Sequence, residues 1–415
     1  MPVDVKMAWR NIWRNPRRTL LTIAAIAFAC VLLVFMLSFQ FGSYDTMINA
    51  SVKIHTGHLQ VQARGYQDDQ KIRQVIADPR PAQQTLDAMP EVLAHAPRAR
   101  AFALVSAAER AYGVMVEGID PEAEARVSTL PQIVREGGYF SDGSVEEGLP
   151  EALIGRLLAR NLKVTVGDEL TLLGQGRDGS IAATVVRVQG IYSSGMDDFD
   201  RSAIQIPLVD FQAIFTMDTA VHEIVVVGRR LSDAPAIKAA LKDKLAGLAA
   251  KADLVVLDWE DLMPGLRQAI NMDLVSGSIF YLILIMVVAF SILNTFLMAI
   301  FERTYEFGVM MAMGTKPQRL TRLVLAESTG MTLVGVAAGM VLGCLVTLYF
   351  MYHGINLGAN EISRQFGIPD TLYPQLTAIS ITAGPLAVLL ITLLAALYPA
   401  LKIRRLKPVE AMRQR

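Results

Sequence analysis

Four long stretches without a charged residue constrain this chain more than any other feature of its sequence. They run from Thr19 to Tyr44, from Leu274 to Phe301, from Ser328 to Tyr352 and from Thr371 to Leu401. A helix needs about 20 apolar residues to cross a bilayer, and each stretch is longer than that. In a chain that is 53% hydrophobic, with a mean hydropathy of +0.38, they predict four membrane-spanning helices.

The basic residues predict how these helices are oriented, because cytoplasmic segments carry an excess of Lys and Arg. Basic residues are dense before span one, between spans two and three, and after span four, whereas the short loop between spans three and four has only Arg364. Both termini are therefore predicted to be cytoplasmic. The dense groups are Lys6, Arg10, Arg14, Arg17 and Arg18; Arg303, Lys316, Arg319 and Arg322; and Lys402, Arg404, Arg405, Lys407, Arg413 and Arg415.

The predicted fold class is a membrane α-helical protein with a large external α+β domain inserted between its first and second spans. The segments that follow from the spans and the orientation are a cytoplasmic amphipathic helix (1–18), span one (19–42), the external domain (43–270), span two (271–301), a cytoplasmic segment (302–324), span three (325–352), an external loop (353–377), span four (378–400) and a cytoplasmic tail (401–415). Pro385 predicts a kink in span four.

The first segment has an apolar stripe at helical spacing, formed by Val5, Ala8, Trp9, Ile12 and Trp13. Tryptophan and arginine together suit the headgroup zone, so the helix is predicted to lie on the inner leaflet. The alternative is an ordinary helix packed on protein.

The external domain alternates strand and helix patterns at both of its ends. The domain begins with a predicted strand, helix and strand, which are "GHLQVQA", "PAQQTLDAM" and a strand within 99–107. It ends with another strand, helix and strand, which are "HEIVVVG", "APAIKAALKDKLAGLAA" and "ADLVVLDW". These ends predict one α/β subdomain (52–103 with 220–262) around a β-rich insert (104–219). Gly174, Gly176 and Gly179 form GxGxxG within the insert, but two strands flank them, so a hairpin turn is predicted rather than a dinucleotide site.

No catalytic motif emerges from the sequence. There is no GxxxxGK[ST] phosphate loop or GxSxG elbow, and His55 and His58 without a nearby carboxylate or Cys make a weak metal site. Lys plus Arg equals Asp plus Glu at 39 each, which gives no argument for a nucleic-acid partner. The absence of charge within the four stretches argues against an ion pathway. Gly335, Gly339 and Gly343, four residues apart, predict a helix-packing face, with chance as the alternative.

The stretch "FERTYEFGVMMAMGTKPQRL" (301–320) joins spans two and three. Its sequence predicts a helix that ends at Gly314, followed by a second helix capped by Thr315. Gln318 lies at capping-box spacing from Thr315, and Pro317 lies in the first turn of the second helix. We expect Tyr305, Glu306, Phe307, Met310 and Met311 to be exposed and to form a protein-docking surface. A simple chain reversal is the alternative.

These residues resemble the coupling segment of the FtsX-like permease family, whose core is E-[IF]-G-[VM]-x-x-A-x-G. Glu306, Phe307, Gly308, Val309, Ala312 and Gly314 match that core. "AWRNIWRNPRRT" (8–19) and "YPALKIRRLKPVEAMR" (398–413) are similar to the opening and closing motifs of the family. "GIYSSGMDDFDRSAIQIPLVDFQAIF" (190–215) is similar to the external domain of its lipoprotein-releasing LolC/LolE members.

The resemblance implies an ABC transporter permease of the MacB/Lol type in a bacterial inner membrane, with the large domain in the periplasm. It implies two copies of a separate cytoplasmic ATPase that bind ATP and Mg²⁺, a second permease that is identical or related, and no cofactor or catalytic activity in this chain. ATPase closure would be relayed to the external domain by mechanotransmission. The coupling residues that it implies are Arg303, Tyr305, Glu306, Phe307, Gly308, Met311, Gly314 and Lys316.

Three functions agree with the resemblance. The first is extraction of lipoproteins from the outer leaflet of the inner membrane, with lipid around the permease and a periplasmic chaperone as receiver. The second is export of a peptide, drug or other amphiphile through a periplasmic adaptor, and the third is a non-transporting lever that regulates a periplasmic enzyme. For the first, the candidate substrate residues, which are alternatively ordinary packing residues, are Phe35, Met36, Phe39, Met47, Met272 and Phe280.

Overall fold

The structure, a computed structural model, describes residues 3–140, 148–356, 358 and 371–403. Arg364 and the basic tail from Arg404 to Arg415 lie outside the described residues. The chain divides into two compact units. Among the described residues, the first unit holds 3–45, 269–356 and 371–403, and the second holds 46–268 and 358.

Long helices make up most of the first unit, and strands mixed with shorter helices make up the second. The helices are α1 (Val3–Ile12), α2 (Pro16–Ser51), α3 (Arg80–Asp87), α4 (Pro121–Val127), α5 (Leu130–Ile133), α6 (Arg156–Leu162), α7 (Asp197–Ser202), α8 (Leu208–Ile214), α9 (Ala234–Ala252), α10 (Trp259–Leu262), α11 (Pro264–Glu302), α12 (Thr304–Ala312), α13 (Pro317–His353) and α14 (Ala378–Ile403). The strands are β1 (Leu59–Ala63), β2 (Val92–Ala107), β3 (Arg110–Ile119), β4 (Val134–Gly137), β5 (Glu151–Gly155), β6 (Glu169–Gln175), β7 (Ile181–Tyr192), β8 (Ala203–Pro207), β9 (Glu223–Gly228), β10 (Leu254–Asp258), β11 (Ile355–Asn356) and β12 (Thr371–Leu372). A π-helical turn (Val52–Thr56) follows α2, and a 3-10 turn (Leu231–Asp233) precedes α9.

Four helices of the first unit, α2, α11, α13 and α14, are long and apolar enough to cross a membrane. This confirms the prediction of four spans, although α2, α11 and α13 extend several residues beyond the predicted ends. The helix α14 continues through Pro385 and Pro399. The shared core of the four helices is formed by Ile26, Cys30, Leu33, Ile285, Ile292, Phe296, Val336, Val388 and Ala396.

The three spaced glycines of α13 lie against α2. A Cβ added to Gly335 would come within 2.8 Å of the Ile26 Cβ. One added to Gly339 would be 2.5 Å from the Ala27 carbonyl oxygen and 2.6 Å from the Cys30 Cβ. Side chains cannot enter these gaps, so the two helices approach more closely than larger residues would allow.

The amphipathic helix α1 buries only part of its predicted stripe. Ala8 and Ile12 are buried, and α1 packs against α13. Trp9 and Trp13 are exposed and meet edge to face, with ring centroids 6.2 Å apart. The structure therefore places the tryptophans away from the residues that contact protein, which separates the stripe into an inward and an outward face.

The second unit is built on one ten-stranded mixed sheet. The strand order is β10-β1-β9-β2-β3-β8-β5-β7-β4, and β6 pairs with both β2 and β7. The predicted hairpin is formed by β6 and β7, which pair antiparallel, and Gly176 and Gly179 lie in its turn, where Gly179 has a φ of +94°. The GxGxxG pattern thus connects two strands, which excludes the strand-to-helix setting of a dinucleotide site.

The unit has two main apolar cores. One contains β1, β9, β10, α3 and α9 residues such as Leu59, Ile224 and Leu241. The other contains residues of the insert, such as Val186 and Phe211. The strand β2 runs through the predicted boundary at residues 103 and 104, because its first half pairs with β9 and its second half with β6. The two subdomains therefore share a continuous sheet.

A cluster of buried charges lies where β2, β3, β9 and α4 meet. Arg98 binds Glu124 through two hydrogen bonds of 2.9 and 2.6 Å. Arg100 lies 3.0 Å from Glu117 and 2.8 Å from Glu223. Burial raises the pKa of Glu223 even beside two arginines. Buried charges are tolerated only when they are paired in this way, so the cluster fixes the relative positions of its elements.

We expect Gly339→Ala to destabilise the protein by about 1–3 kcal/mol, because the added methyl group overlaps the Ala27 carbonyl oxygen and forces α13 away from α2. The measurement is the thermal unfolding midpoint of the full chain in detergent. The matched control is Gly247→Ala in α9, where nothing lies within 4 Å of the added Cβ. That change should be neutral or stabilising by up to about 1 kcal/mol. Equal midpoints for the two variants would refute the packing face.

Candidate functional site

The coupling segment is a short helix held between two long ones. The helix α11 ends before Arg303, which is the N-cap of α12. After α12 the chain turns at Gly314, whose φ of +94° suits glycine. The next helix, α13, starts at Pro317 with Lys316 as its N-cap and without a side-chain cap. The predicted Thr315 capping box is therefore wrong: Lys316 has the extended backbone of an N-cap, and Pro317 with its fixed φ takes the first helical position.

The exposed surface of this segment differs from the prediction. Phe307 is 1% exposed and Met311 is 9% exposed, and Gly308 is buried as well. Phe307 and Met311 are one helical turn apart on the inward face, where they pack with Ile300, Leu320, Val324, Ala400 and Ile403. Their predicted exposure is wrong, because α11, α13 and α14 together cover that face.

The exposed residues of this segment include Tyr305, Met313 and Lys316. Tyr305 is 52% exposed and Met313 75% exposed, and Lys316 is exposed at the start of α13. Sequence reasoning missed Met313, since it lies next to the helix-ending Gly314 and outside the apolar pattern of the helix. An apolar patch beside a basic residue at the turn of a hairpin suits contact with another protein.

An ionic network joins α12 and α13 to α1 and to Arg14, which follows it. Arg14 donates two hydrogen bonds to Glu306, one of them 3.1 Å long. Arg303 lies 3.5 Å from Glu306 and donates a 2.8 Å bond to Glu327, which also accepts a 2.7 Å bond from Asn11. The hydrogen bond from Arg14 lowers the pKa of Glu306, so that Glu306 is an anion at neutral pH. This contact could not be predicted from the sequence, because Arg14 and Glu306 are 292 residues apart in the chain.

Two further contacts surround the segment. Arg18 of α2 donates a 2.5 Å hydrogen bond to Glu302, the last residue of α11. The ammonium of Lys402 lies 4.9 Å from the centre of the Phe301 ring. Together with the network, these contacts attach both ends of the α11–α12 junction to neighbouring helices.

Three of the candidate substrate residues line one cleft. Met36 and Phe39 of α2 and Phe280 of α11 lie around a space of about 410 Å³. Phe35 stacks on Phe39 and also contacts Phe350, with ring centroids 6.4 and 5.5 Å apart. Met272 is 63% exposed on α11 and does not line the cleft. Met47 belongs to the second unit and is half-buried there.

Polar groups that the sequence did not single out close one side of this cleft. Tyr44 and Gln40 both donate to the Asp273 carboxylate, the second over 2.9 Å. Tyr281 in turn donates a 2.9 Å bond to the Gln40 side-chain oxygen. Asp273 lies within predicted span two (271–301), and Glu327 lies within predicted span three (325–352). The four apolar runs are therefore free of charge, but the complete predicted spans are not.

Comparison with known proteins places these features in a family. The model of a MacB-like periplasmic core domain matches residues 19–244, and the model of an FtsX-like permease C-terminal region matches residues 278–408. The chain is 25% identical to the lipoprotein-releasing system transmembrane protein LolC of Xylella fastidiosa, with 78% of each chain covered.

The chain is also similar to an export protein and to a solved periplasmic structure. The pyoverdine export ATP-binding/permease protein PvdT of Pseudomonas syringae pv. tomato is 25% identical over 98% of this chain and 59% of its own length. The crystal structure of the periplasmic region of MacB from Actinobacillus actinomycetemcomitans covers 53% of this chain and 95% of its own, with 13% identity and a TM-score of 0.39.

The four spans and the periplasmic-type domain fit a multipass inner-membrane protein. The first family model alone matches more than half of the chain, and the second accounts for most of the remainder. The chain therefore belongs to the FtsX-like permease family and carries a MacB-like periplasmic core domain.

Proposed function

We propose that this protein is the permease of an ATP-driven transporter that extracts lipoproteins from the outer leaflet of the inner membrane. One observation carries the proposal: a single helix, α11, lines the cleft near Phe280 and leads at Glu302 into the coupling helix α12. These positions are 22 residues apart, which is about 33 Å along a helix and matches the hydrocarbon thickness of a bilayer. A movement of α12 at one membrane face would thus displace the wall of the cleft at the other.

The energy source is proposed to be a separate ATPase that docks on the patch of Tyr305, Met313 and Lys316. Several basic residues flank this end of the helices, among them Arg10, Arg14 and Arg18; they support a cytoplasmic position for it. Relatives such as PvdT are named as ATP-binding/permease proteins, and this chain spans 59% of PvdT. We place ATP and Mg²⁺ in a pair of such ATPase subunits, working on two permeases that are identical or related.

The similarity to LolC supports a lipid-anchored protein as substrate. The cleft adds a physical reason, because Met36, Phe39 and Phe280 offer an apolar surface that acyl chains can contact. The released protein would pass to a periplasmic chaperone. A second candidate, export of a smaller amphiphile with a periplasmic adaptor, is favoured by the match to PvdT over 98% of this chain.

The proposal predicts ATP-dependent release of an acylated lipoprotein from proteoliposomes that contain the permease and its ATPase. Glu306→Arg should reduce release by about tenfold or more, because it replaces the acceptor of Arg14 with a cation and misplaces α12. The double variant Arg14→Glu with Glu306→Arg should recover part of the release, since it restores the opposite charges. The rate of release at saturating ATP is the quantity to measure.

The matched control is Glu260→Arg, which breaks an exposed ion pair of the second unit, 3.2 Å from Arg267, and should leave release unchanged. No recovery in the double variant would show that the Arg14–Glu306 pair does not position the coupling helix. If ATP drives release of a free amphiphile but not of the lipoprotein, the second candidate function, amphiphile export, is supported instead.

The docking patch predicts that Tyr305→Asp and Met313→Asp each weaken ATPase binding by about 1–4 kcal/mol, as expected for apolar anchors at the centre of an interface. Co-purification of the ATPase with the affinity-tagged permease measures this. Tyr112→Asp, a change at an exposed aromatic residue of the second unit, is the control. Full ATPase retention in both patch variants would contradict the proposed surface.

A further inference from the structure

Among the described residues, the anion in the cleft between α2 and α11 has no matching cation. The lining residues of the cleft come from these two helices, and Asp273 is the charged side chain among them. The sequence has no Lys or Arg from residue 19 to 45 or from 269 to 302. Among the described residues, no ion pair includes Asp273. The neighbouring groups are hydrogen-bond donors, the hydroxyl of Tyr44 and the amide of Gln40.

These donors bind the carboxylate without supplying a positive charge. The hydroxyl and the amide hold Asp273 towards the cleft, and Tyr281 orients the amide by donating to its oxygen. Exposed apolar residues lie on the same part of α11, including Phe280 and Met272. The arrangement is a fixed negative charge at the edge of an apolar surface. An ionisable residue in a membrane helix generally marks a functional site with a partner of opposite charge.

We propose that Asp273 is the headgroup site of this cleft and that it binds the primary ammonium group of an amphiphile whose hydrocarbon lies against Met36, Phe39 and Phe280. The inference rests on the proposed function, because it assigns the chemistry of a ligand for the same cleft. An ammonium carries three donors and complements a carboxylate in both charge and hydrogen bonding. An anionic headgroup would be repelled by Asp273.

A primary ammonium next to hydrocarbon can come from two sources. One is the headgroup of an aminophospholipid, and the other is an amine close to the lipid anchor of the transported protein. Both present the same chemistry to Asp273. They are distinguished by comparing each with its N-acetylated form, which keeps the hydrocarbon and removes the positive charge.

The test is native mass spectrometry of the full-length permease in detergent, without ATP. It is titrated with phosphatidylethanolamine, with an S-acylated cysteinyl-lysine peptide, and with the N-acetylated form of each. We expect the amine form of at least one pair to bind about two- to fivefold more tightly than its acetylated form, as for a partly exposed ion pair. In Asp273→Asn, which is nearly isosteric, this preference should be lost.

Glu302→Gln, at the opposite end of α11, is the control and should keep the preference. A preference confined to the phospholipid pair assigns the site to lipid, and one confined to the peptide pair assigns it to cargo. No preference in either pair, or a preference that survives in a folded Asp273→Asn protein, would overturn the inference. Since binding is measured without ATP, failure of lipoprotein release by the wild-type protein would refute the proposed function separately.

Discussion

The bilayer confines charged side chains to the ends of the four long helices, and both candidate sites of the first unit depend on this constraint. At one end, Arg14, Arg303, Glu306 and Glu327 pair with one another around the coupling helix. At the other, the side chains that bind Asp273 in the described part of the chain are neutral donors. Charges near hydrocarbon are costly unless they are paired. The paired group therefore suits a rigid joint, whereas the group without a cation suits a ligand site.

The apolar helices between these ends are packed so that movement can be transmitted. The glycines of α13 bring it against α2, and the shared core of the first unit joins α2, α11, α13 and α14. Close-packed helices shift as bodies rather than deform continuously, since their side chains interlock. A displacement at α12 would therefore reach the cleft through α11. The same helix takes part in the joint and in the cleft, so the movement can be transmitted without a pore through the membrane.

Features that depend on local sequence could be predicted well. The four spans follow from runs of apolar residues, the β6–β7 hairpin from two strands around a glycine turn, and the end of α12 from Gly314. The stretch from residue 301 to 320 could be recognised as a coupling segment because six of its residues match a family motif. Each of these signals is contained in a short window.

Features that depend on distant parts of the chain could not be predicted. Phe307 and Met311 were expected on the surface because the face of a short helix that becomes buried is decided by its neighbours, in this case α11, α13 and α14. Tyr44 and Asp273 are 229 residues apart in the chain, and Arg14 and Glu306 are 292 apart. The strand β2 continues past the predicted subdomain boundary because β6, β3 and β9 pair along its length.

A permease that works with a separate ATPase on a lipid-anchored protein should retain that protein when no ATP is present. Native mass spectrometry of the complex purified from its own membranes without ATP measures this. We expect two ATPase subunits, two permeases and a co-purifying acylated protein. A complex that retains a periplasmic adaptor or an enzyme, and never an acylated protein, would contradict it.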